Sequence, residues 1–375
     1  MSFIIHYVHR ADFLNKGPIS RHVFSIVVRN YKDLLVAQTR DDIEVISIKE
    51  NVYFNFPFRY PIQPVGPIDE VDNWGAVFLN AKRVLELNAT GAGVRVGIID
   101  SGLDPSHGCF AGINLAKFVE VDKDSGSIKE IEPYDSQWHG TFCAAIVAGR
   151  VHNGSYRGMA PDAELYIAKV FDKQWGSSTV AIESAFRFCI DNKVNLISMS
   201  LGIPNQDDVW LPIVMEFLAS GGVLIAGIGN DFEGEGPTIS PGNYPGTGIL
   251  SVGAHDVDQE VWKKSGGGEI IWPQSLPFTD PVKVIKPDIV APGVGVISIG
   301  KEASMEVSEG TSFATPHIAG LLACVWSVKP EWKAAQLLGL IERNLWDRGQ
   351  TGKDVRFGFG VVDADGVCAE LATSA

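Results

Sequence analysis

The strongest constraint on the fold is a series of short, almost uninterrupted apolar runs that alternate with segments of helical spacing. The runs occupy residues 94–100, 165–170, 196–200, 223–226 and 249–253. Helical spacing occurs in residues 180–190, 213–219, 312–325 and 332–344. Strands that are apolar on both faces must be covered on both faces of their sheet. The sequence therefore predicts an α/β domain with a doubly wound, mostly parallel sheet flanked by helices.

Proline and glycine cluster once, in residues 56–72, with the composition of a linker. Strand-like stretches precede this cluster at residues 3–8, 23–28 and 43–48, and a helix-like stretch covers residues 31–38. We therefore predict a small α+β domain and linker over residues 1–68, followed by the main domain over residues 69–375. A block as short as the first buries little apolar surface alone, so we expect it to pack against the main domain.

Charge and cysteine content exclude several classes of protein. The 31 basic and 45 acidic side chains give a net charge of −14, which repels phosphate backbones and anionic lipid surfaces. No apolar run approaches the roughly 20 residues of a membrane span, and no secretory signal is visible. The 5 cysteines form no CxxC pair, which argues against a disulfide scaffold or a zinc site. We expect a cytoplasmic protein with no nucleic-acid or membrane partner.

Three residues that carry chemistry lie at the ends of predicted elements. Asp100 ends the first apolar run, at the sheet edge where active sites of such folds lie. His139 precedes a glycine, and Ser312 opens a predicted helix. Taken singly, they are typical of a turn aspartate, a structural histidine and a helix cap. Taken together, they supply the carboxylate, the imidazole and the hydroxyl that a serine nucleophile needs.

Asn230 adds a side-chain amide just beyond another apolar run. The amide could donate to an oxyanion that forms beside Ser312, where a helix start also presents backbone N–H groups. A turn asparagine following Gly229 is an equally good interpretation of that segment alone.

Several motifs occur together and in order between residues 74 and 362. They are Asp100-Ser101-Gly102, His139-Gly140-Thr141, Ser200-Leu201-Gly202, Gly229-Asn230, the segment 286–293 and the segment 310–316. This set resembles the subtilisin-like serine proteases, the subtilase family. The resemblance implies a serine endopeptidase in which Ser312 attacks the peptide carbonyl and forms an acyl-enzyme. In this mechanism His139 acts first as general base and afterwards as general acid, Asp100 orients His139, and Asn230 binds the oxyanion.

The resemblance also implies a binding site for an extended protein or peptide substrate. The expected substrate-binding residues are Gly176, Ser177, Ser178, Ser200, Leu201, Gly202, Gly229 and Ile239. Bulky Ile239 would shorten the first specificity pocket and favour small or medium side chains, whereas Asp231 at the rim would tolerate a basic one. Both interpretations remain open.

Three features depart from a simple family pattern. Many secreted subtilases bind calcium in the loop after the histidine helix, but the corresponding residues 150–156 offer few oxygen ligands beside cationic Arg150. We therefore predict no metal site and no cofactor. Cys143 follows His139 by one helical turn and is expected to be a small core residue rather than a nucleophile. Residues 258–280 resemble an insertion, expected to form a surface loop that packs its own aromatic residues.

The N-terminal block resembles the inhibitor-like propeptides of subtilases. The resemblance implies a zymogen whose own N-terminal domain acts as an intramolecular inhibitor until it is cut in the linker. The alternative function is a catalytically silent module that retained the subtilase fold and binds peptides. The presence of Asp100, His139, Asn230 and Ser312 favours the enzyme, because a silent binder has no physical need of all 4 groups.

Overall fold

A ten-stranded sheet organises the structure. The computed structural model describes residues 3–9, 24–28, 43–55, 63–64, 72–155, 157–273 and 280–373. The described helices are α1 Trp74–Phe78, α2 Ala81–Glu86, α3 His139–Ala148, α4 Thr179–Asp191, α5 Leu211–Ala219, α6 Thr311–Val328, α7 Ala334–Arg343 and α8 Ala364–Thr373. The described strands are β1 Phe3–His9, β2 Phe24–Val28, β3 Ile43–Glu50, β4 Tyr53–Asn55, β5 Gln63–Pro64, β6 Arg95–Asp100, β7 Asn114–Val121, β8 Ile128–Glu130, β9 Glu164–Lys169, β10 Gly176–Ser178, β11 Leu196–Met199, β12 Ile203–Pro204, β13 Val223–Gly227, β14 Ile239–Ser240, β15 Ile249–His255, β16 Gly268–Trp272, β17 Val282–Lys286, β18 Ile289–Pro292, β19 Val296–Ile299, β20 Met305–Ser308, β21 Leu345–Trp346 and β22 Val361–Val362.

The large sheet is parallel through its centre and antiparallel only at its two edges. Its strand order is β21-β22-β18-β15-β13-β11-β6-β9-β7-β8. Every pair from β22 to β7 is parallel, whereas β21 and β8 each add an antiparallel strand at an edge. One core cluster joins the sheet to α3, α6 and α7, and a second joins it to α4 and α5. The predicted α/β fold with a doubly wound, mostly parallel sheet is confirmed.

The register of the central strands sets the position of the site. Ile99 of β6 lies beside Met199 of β11, which lies beside Ala226 of β13. The next residue of β6 is Asp100, and the next residue after β11 is Ser200. The chain therefore delivers both residues to the same edge of the sheet, as is usual in parallel α/β folds.

Helix α6 runs through the core beneath the sheet. It is the one helix in the described part of the chain that is long and apolar enough to cross a membrane, and 89% of that stretch is buried inside the protein. Its side chains contribute to the same core cluster as the sheet. The length and composition of α6 thus reflect its place in the interior.

The N-terminal residues pack against the main domain, as expected for a block with a small core of its own. Strands β2, β1 and β3 form an antiparallel sheet, β4 pairs with β10, and β5 pairs with β20. Lys49 forms an ion pair with Asp208 at 2.6 Å, and His6 lies 3.2 Å from Glu183 in α4. The predicted helix at residues 31–38 lies outside the described residues. The boundary between residues 1–68 and 69–375 stays a prediction.

The insertion contributes one strand of an antiparallel pair rather than only a surface loop. Strands β16 and β17 pair antiparallel, and Trp272 at the end of β16 is buried. Its ring contacts Tyr244 at 5.2 Å between centroids, and its Nε1 donates to the carbonyl of Asn243 at 3.0 Å. The prediction that this segment packs its own aromatic residues is therefore wrong for Trp272, because the indole packs against Tyr244 and Asn243, which lie outside the insertion.

Two buried histidines hold the neutral form of their rings. The Nδ1 of His317 in α6 donates to the carbonyl of Phe313 at 2.7 Å, and the amide of Asn73 contacts its Nε2 at 2.9 Å. The Nδ1 of His255 donates to the carbonyl of Asp256 at 2.7 Å. Burial lowers the pKa of each imidazole to about 4, because charging a ring in the interior is unfavourable.

Acid is expected to destabilise the fold through these two histidines. The unfolded chain binds protons below the ordinary histidine pKa of about 6.5, whereas the folded chain binds them only near pH 4. The free energy of unfolding should therefore fall as the pH drops from about 6.5 to 4, by up to roughly 3 kcal/mol per histidine. Urea unfolding across this range measures the slope. The double variant His255→Gln, His317→Gln should flatten it, and an unchanged slope would contradict the assignment.

Candidate active site

Asp100 and His139 are in direct contact at the edge of the sheet. The Nδ1 of His139 lies 2.8 Å from Oδ1 and 2.9 Å from Oδ2 of Asp100, and both side chains are buried. The backbone N–H of Ser101 donates to Asp100 Oδ1 at 2.7 Å and holds the carboxylate in place. With its Nδ1 proton directed at a carboxylate, a neutral imidazole carries its lone pair on Nε2.

The start of α3 fixes the position of His139. The N–H of Gly140 donates to Ser101 Oγ at 2.9 Å, and a Cβ on Gly140 would collide with the Gly102 carbonyl. Only glycine allows the helix to approach the Asp100 turn this closely. Asp135 accepts hydrogen bonds from the N–H and the hydroxyl of Thr141, at 3.0 and 2.7 Å, and thereby caps the helix. Sequence analysis missed Asp135, because it lies three residues before the N-cap, Trp138, where no capping signal is expected.

Ser312 is the second residue of α6 and lies in the same neighbourhood as His139. Its hydroxyl donates to the carbonyl of Ser200 at 3.2 Å, and its own carbonyl accepts from the Ser200 hydroxyl at 2.7 Å. The sulfur of Cys143 lies 3.5 Å from the Ser312 carbonyl oxygen and 3.9 Å from His139 Nδ1. Cys143 therefore contacts both residues and shows how closely α3 and α6 meet.

Asn230 is held by the first residue of α6. Its Oδ1 accepts from the backbone N–H and from the hydroxyl of Thr311, each at 2.9 Å. These two donors identify the oxygen of the amide, so Nδ2 is the atom directed toward Gly310, the residue two before Ser312. Thr311 was missed by the sequence analysis, because its role depends on a contact across 81 residues of chain.

The predicted substrate residues lie on two segments beside this centre. Gly176, Ser177 and Ser178 form β10, which is buried because β4 pairs with it. Ser200 contacts Ser312, as described above, while Gly202 lies against Ile239. A Cβ on Gly202 would lie 2.8 Å from Ile239 Cδ1, and a Cβ on Gly229 would lie 3.0 Å from Ile239 Cγ2.

The side chain of Ile239 thus lies close to both Gly202 and Gly229, two of the predicted substrate-binding residues. Leu201 is buried in the core cluster of α4 and α5. The substrate-binding roles of these residues stay predictions.

One group of side chains within the described residues has the composition of a metal site. Ligand atoms of Asp100, His139 and Cys143 lie within 4.8 Å of one another. Burial, followed by the nearby Asp100 carboxylate, raises the pKa of the Cys143 thiol well above its ordinary value. A protonated thiol is a poor metal ligand. The cluster therefore fits a carboxylate–imidazole pair beside a core cysteine better than a metal centre, and the absence of a cofactor stays a prediction.

Comparison with known proteins agrees with this geometry. A model of the subtilase family matches residues 91–360. The chain belongs to this family. The prediction of a subtilisin-like serine protease, made from the motifs around Asp100, His139 and Ser312, is confirmed at the level of the family.

Individual subtilases match to different extents. Subtilisin from Bacillus pumilus is 32% identical over 257 residues, which are 68% of this chain and 84% of that protein. The rat membrane-bound transcription factor site-1 protease is 31% identical over 252 residues, 66% of this chain and 22% of that protein. The minor extracellular protease Epr of Bacillus subtilis is 24% identical over 347 residues. That alignment spans 91% of this chain and 49% of Epr.

The Cys143 thiol is expected to be inert in the native subtilase. Burial raises its pKa far above neutral, so it stays protonated at pH 8 and cannot act as a nucleophile. Mass spectrometry after iodoacetamide treatment should find Cys143 unmodified in native protein and alkylated in urea. The variant Cys143→Ala should keep its peptidase activity within about threefold, since the thiol only fills space. Rapid alkylation of Cys143 in native protein would contradict this assignment.

Proposed function

We propose that the chain is a serine endopeptidase that hydrolyses peptide bonds through Asp100, His139 and Ser312. The observation that carries the proposal is the buried contact between His139 Nδ1 and both oxygens of Asp100. This contact fixes the orientation and tautomer of the ring, so that Nε2 is the atom that takes a proton from a hydroxyl.

The proposed reaction begins with a rotation of the Ser312 hydroxyl. In the structure the hydroxyl donates to the Ser200 carbonyl, and it must turn toward His139 Nε2 to transfer its proton. The serine oxygen then attacks the peptide carbonyl, and His139 returns the proton to the leaving amine. An acyl-enzyme remains. Water activated by the same imidazole hydrolyses it and frees Ser312.

The negative charge that forms during attack is assigned to two donors. The first is the backbone N–H of Ser312 at the start of α6, where the helix dipole also favours negative charge. The second is Nδ2 of Asn230. The neighbouring Thr311 N–H is already used, because it donates to Asn230 Oδ1 and fixes the orientation of the amide.

Protein or peptide substrates are proposed to bind as an added strand on β10. Main-chain pairing of this kind gives affinity, and side-chain pockets give selectivity. Ser200, Leu201 and Gly202 are proposed to support the other side of the peptide, and Ile239 to limit the depth of the pocket beside Gly229. A cytoplasmic location for these substrates stays a prediction.

We further propose that the N-terminal residues keep the chain in a zymogen state. In β4, Tyr53, Phe54 and Asn55 pair antiparallel with Ser178, Ser177 and Gly176 of β10. β10, the strand on which we propose that substrate binds, is therefore already paired with β4 of the same chain. Asn51 adds to this attachment, because its Oδ1 accepts from the N–H of Val180 at 3.1 Å near the start of α4.

Phe54 is the main apolar anchor of β4. Its ring makes edge-on contacts with Trp210 and Phe171, at 6.2 and 6.4 Å between centroids. The neighbouring Tyr53 is 51% exposed. If β4 imitates a substrate strand, the site that holds Phe54 selects an aromatic residue at the same position of a bound peptide.

Labelling by a fluorophosphonate tests the assignment of the nucleophile. Wild-type protein, freed of its N-terminal segment if necessary, should be labelled at Ser312, and Ser312→Ala should be neither labelled nor active. Asn230→Ala should remain folded but lose about 10²–10³ in kcat, the loss known for the side-chain oxyanion donor of the relative subtilisin. Asn114→Ala, an exposed asparagine in β7, is the matched control. Stoichiometric labelling without peptide hydrolysis, or hydrolysis by Ser312→Ala, would contradict the proposal.

The inhibitory role of β4 is tested by comparing two neighbouring substitutions in the full chain. Phe54→Ala should raise the initial rate of peptide hydrolysis about tenfold, because burial of part of a phenylalanine ring contributes on the order of 1–2 kcal/mol. Tyr53→Ala on the same strand should change the rate little, since its side chain is mostly exposed. Mass spectrometry must show that both chains are intact during the measurement. Equal rates for the two variants would argue against occupation of the site by β4.

A further inference from the structure

The loop that carries Asn230 is attached to the start of the insertion. The N–H of Phe232 donates to the carbonyl of Lys264 at 3.2 Å, and the N–H of Gly266 donates to the carbonyl of Gly229 at 2.8 Å. These two hydrogen bonds lie on either side of Asn230 in sequence. The path of the backbone at Asn230 is therefore set by residues 264–266.

A second loop packs against the insertion from the other side. A Cβ on Gly267 would collide with the carbonyl of Val355, and the N–H of Gly267 donates to the carbonyl of Pro237 at 2.9 Å. Glycine at this position lets three backbone segments approach one another directly. The segment around residues 264–267 is thus held between the Asn230 loop and the loop that contains Val355.

Arg356 connects all three segments. Its guanidinium carbon lies 3.9 Å from the centre of the Phe232 ring, a stacked cation–π contact. Its Nη1 donates to the carbonyl of Ser265 at 2.7 Å, and its Nη2 donates to the carbonyl of Trp262 at 2.8 Å. One planar guanidinium group therefore holds Phe232 and the insertion in a fixed relation.

We propose that Arg356 is a positioning residue that holds Asn230 in place for oxyanion binding. The inference rests on the proposed function of Asn230. Thr311 fixes the side-chain amide of Asn230 through two hydrogen bonds, whereas the backbone that carries the amide is held two residues later, at Phe232, through its N–H and its ring. Without Arg356 the Asn230 loop loses the contact with Phe232, and the insertion that supports this loop loses two charged hydrogen bonds, each of which stabilises more than a neutral one.

Loss of Arg356 is expected to weaken stabilisation of the transition state and to leave substrate binding unchanged. A small displacement of Nδ2 weakens a hydrogen bond that strengthens only as the oxyanion forms. Arg356→Gln should therefore lower kcat about tenfold, part of the loss expected for removal of the donor itself, with KM within about twofold. The matched control is Arg348→Gln, which removes the same charge from an exposed arginine that donates to Gln259. It should leave both constants unchanged.

A double-mutant cycle with Asn230→Ala separates positioning from general stabilisation. If Arg356 acts through Asn230, Arg356→Gln should lower kcat by less than about twofold once the amide has been removed. A tenfold effect in both backgrounds, or a lower melting temperature with unchanged kcat, would overturn the inference. If Asn230→Ala alone leaves kcat unchanged, the oxyanion assignment under the proposed function fails instead. The two failures are therefore distinguishable.

Discussion

The parallel register of β6, β11 and β13 is the constraint on which the site depends. Because Ile99, Met199 and Ala226 lie side by side, the three strands end at the same edge of the sheet. Asp100 is the last residue of β6 at this edge, and Ser200 is the first residue after β11. A shift of one residue in any strand would turn the side chain at its end to the opposite face of the sheet. The presence of Asp100 and Ser200 at the same edge of the sheet is thus a direct consequence of strand pairing.

Two helices begin at the edge that the strands define. His139 is the first residue of α3 and Ser312 is the second residue of α6, so the positive ends of both helix dipoles face the same small volume. Each start is secured by a carboxylate or amide oxygen, from Asp135 at α3 and from Asn230 at α6. The groups assigned to catalysis are consequently held by capping interactions as well as by packing.

Sequence periodicity was sufficient for the buried strands and helices, whose apolar runs match β6, β11 and β13 closely. It did not indicate β7, whose first residues alternate between exposed and partly buried, or β4, which is three residues long and pairs with a strand about 120 residues away. Motifs predicted the roles of Asp100, His139 and Ser312. They could not identify Arg356, because its role depends on three loops that meet only in the folded chain.

The position of β4 on β10 has a consequence that follows from connectivity alone. Because both strands belong to one polypeptide, their association is intramolecular, and dilution of the protein does not release it. A free peptide that binds β10 must compete with β4, whose effective local concentration reaches the millimolar range when the connecting segment is short. Cleavage between the two strands would convert this association into an ordinary bimolecular equilibrium. The rate at which β4 binds β10, independent of protein concentration in the intact chain, would then be proportional to the concentration of the released segment.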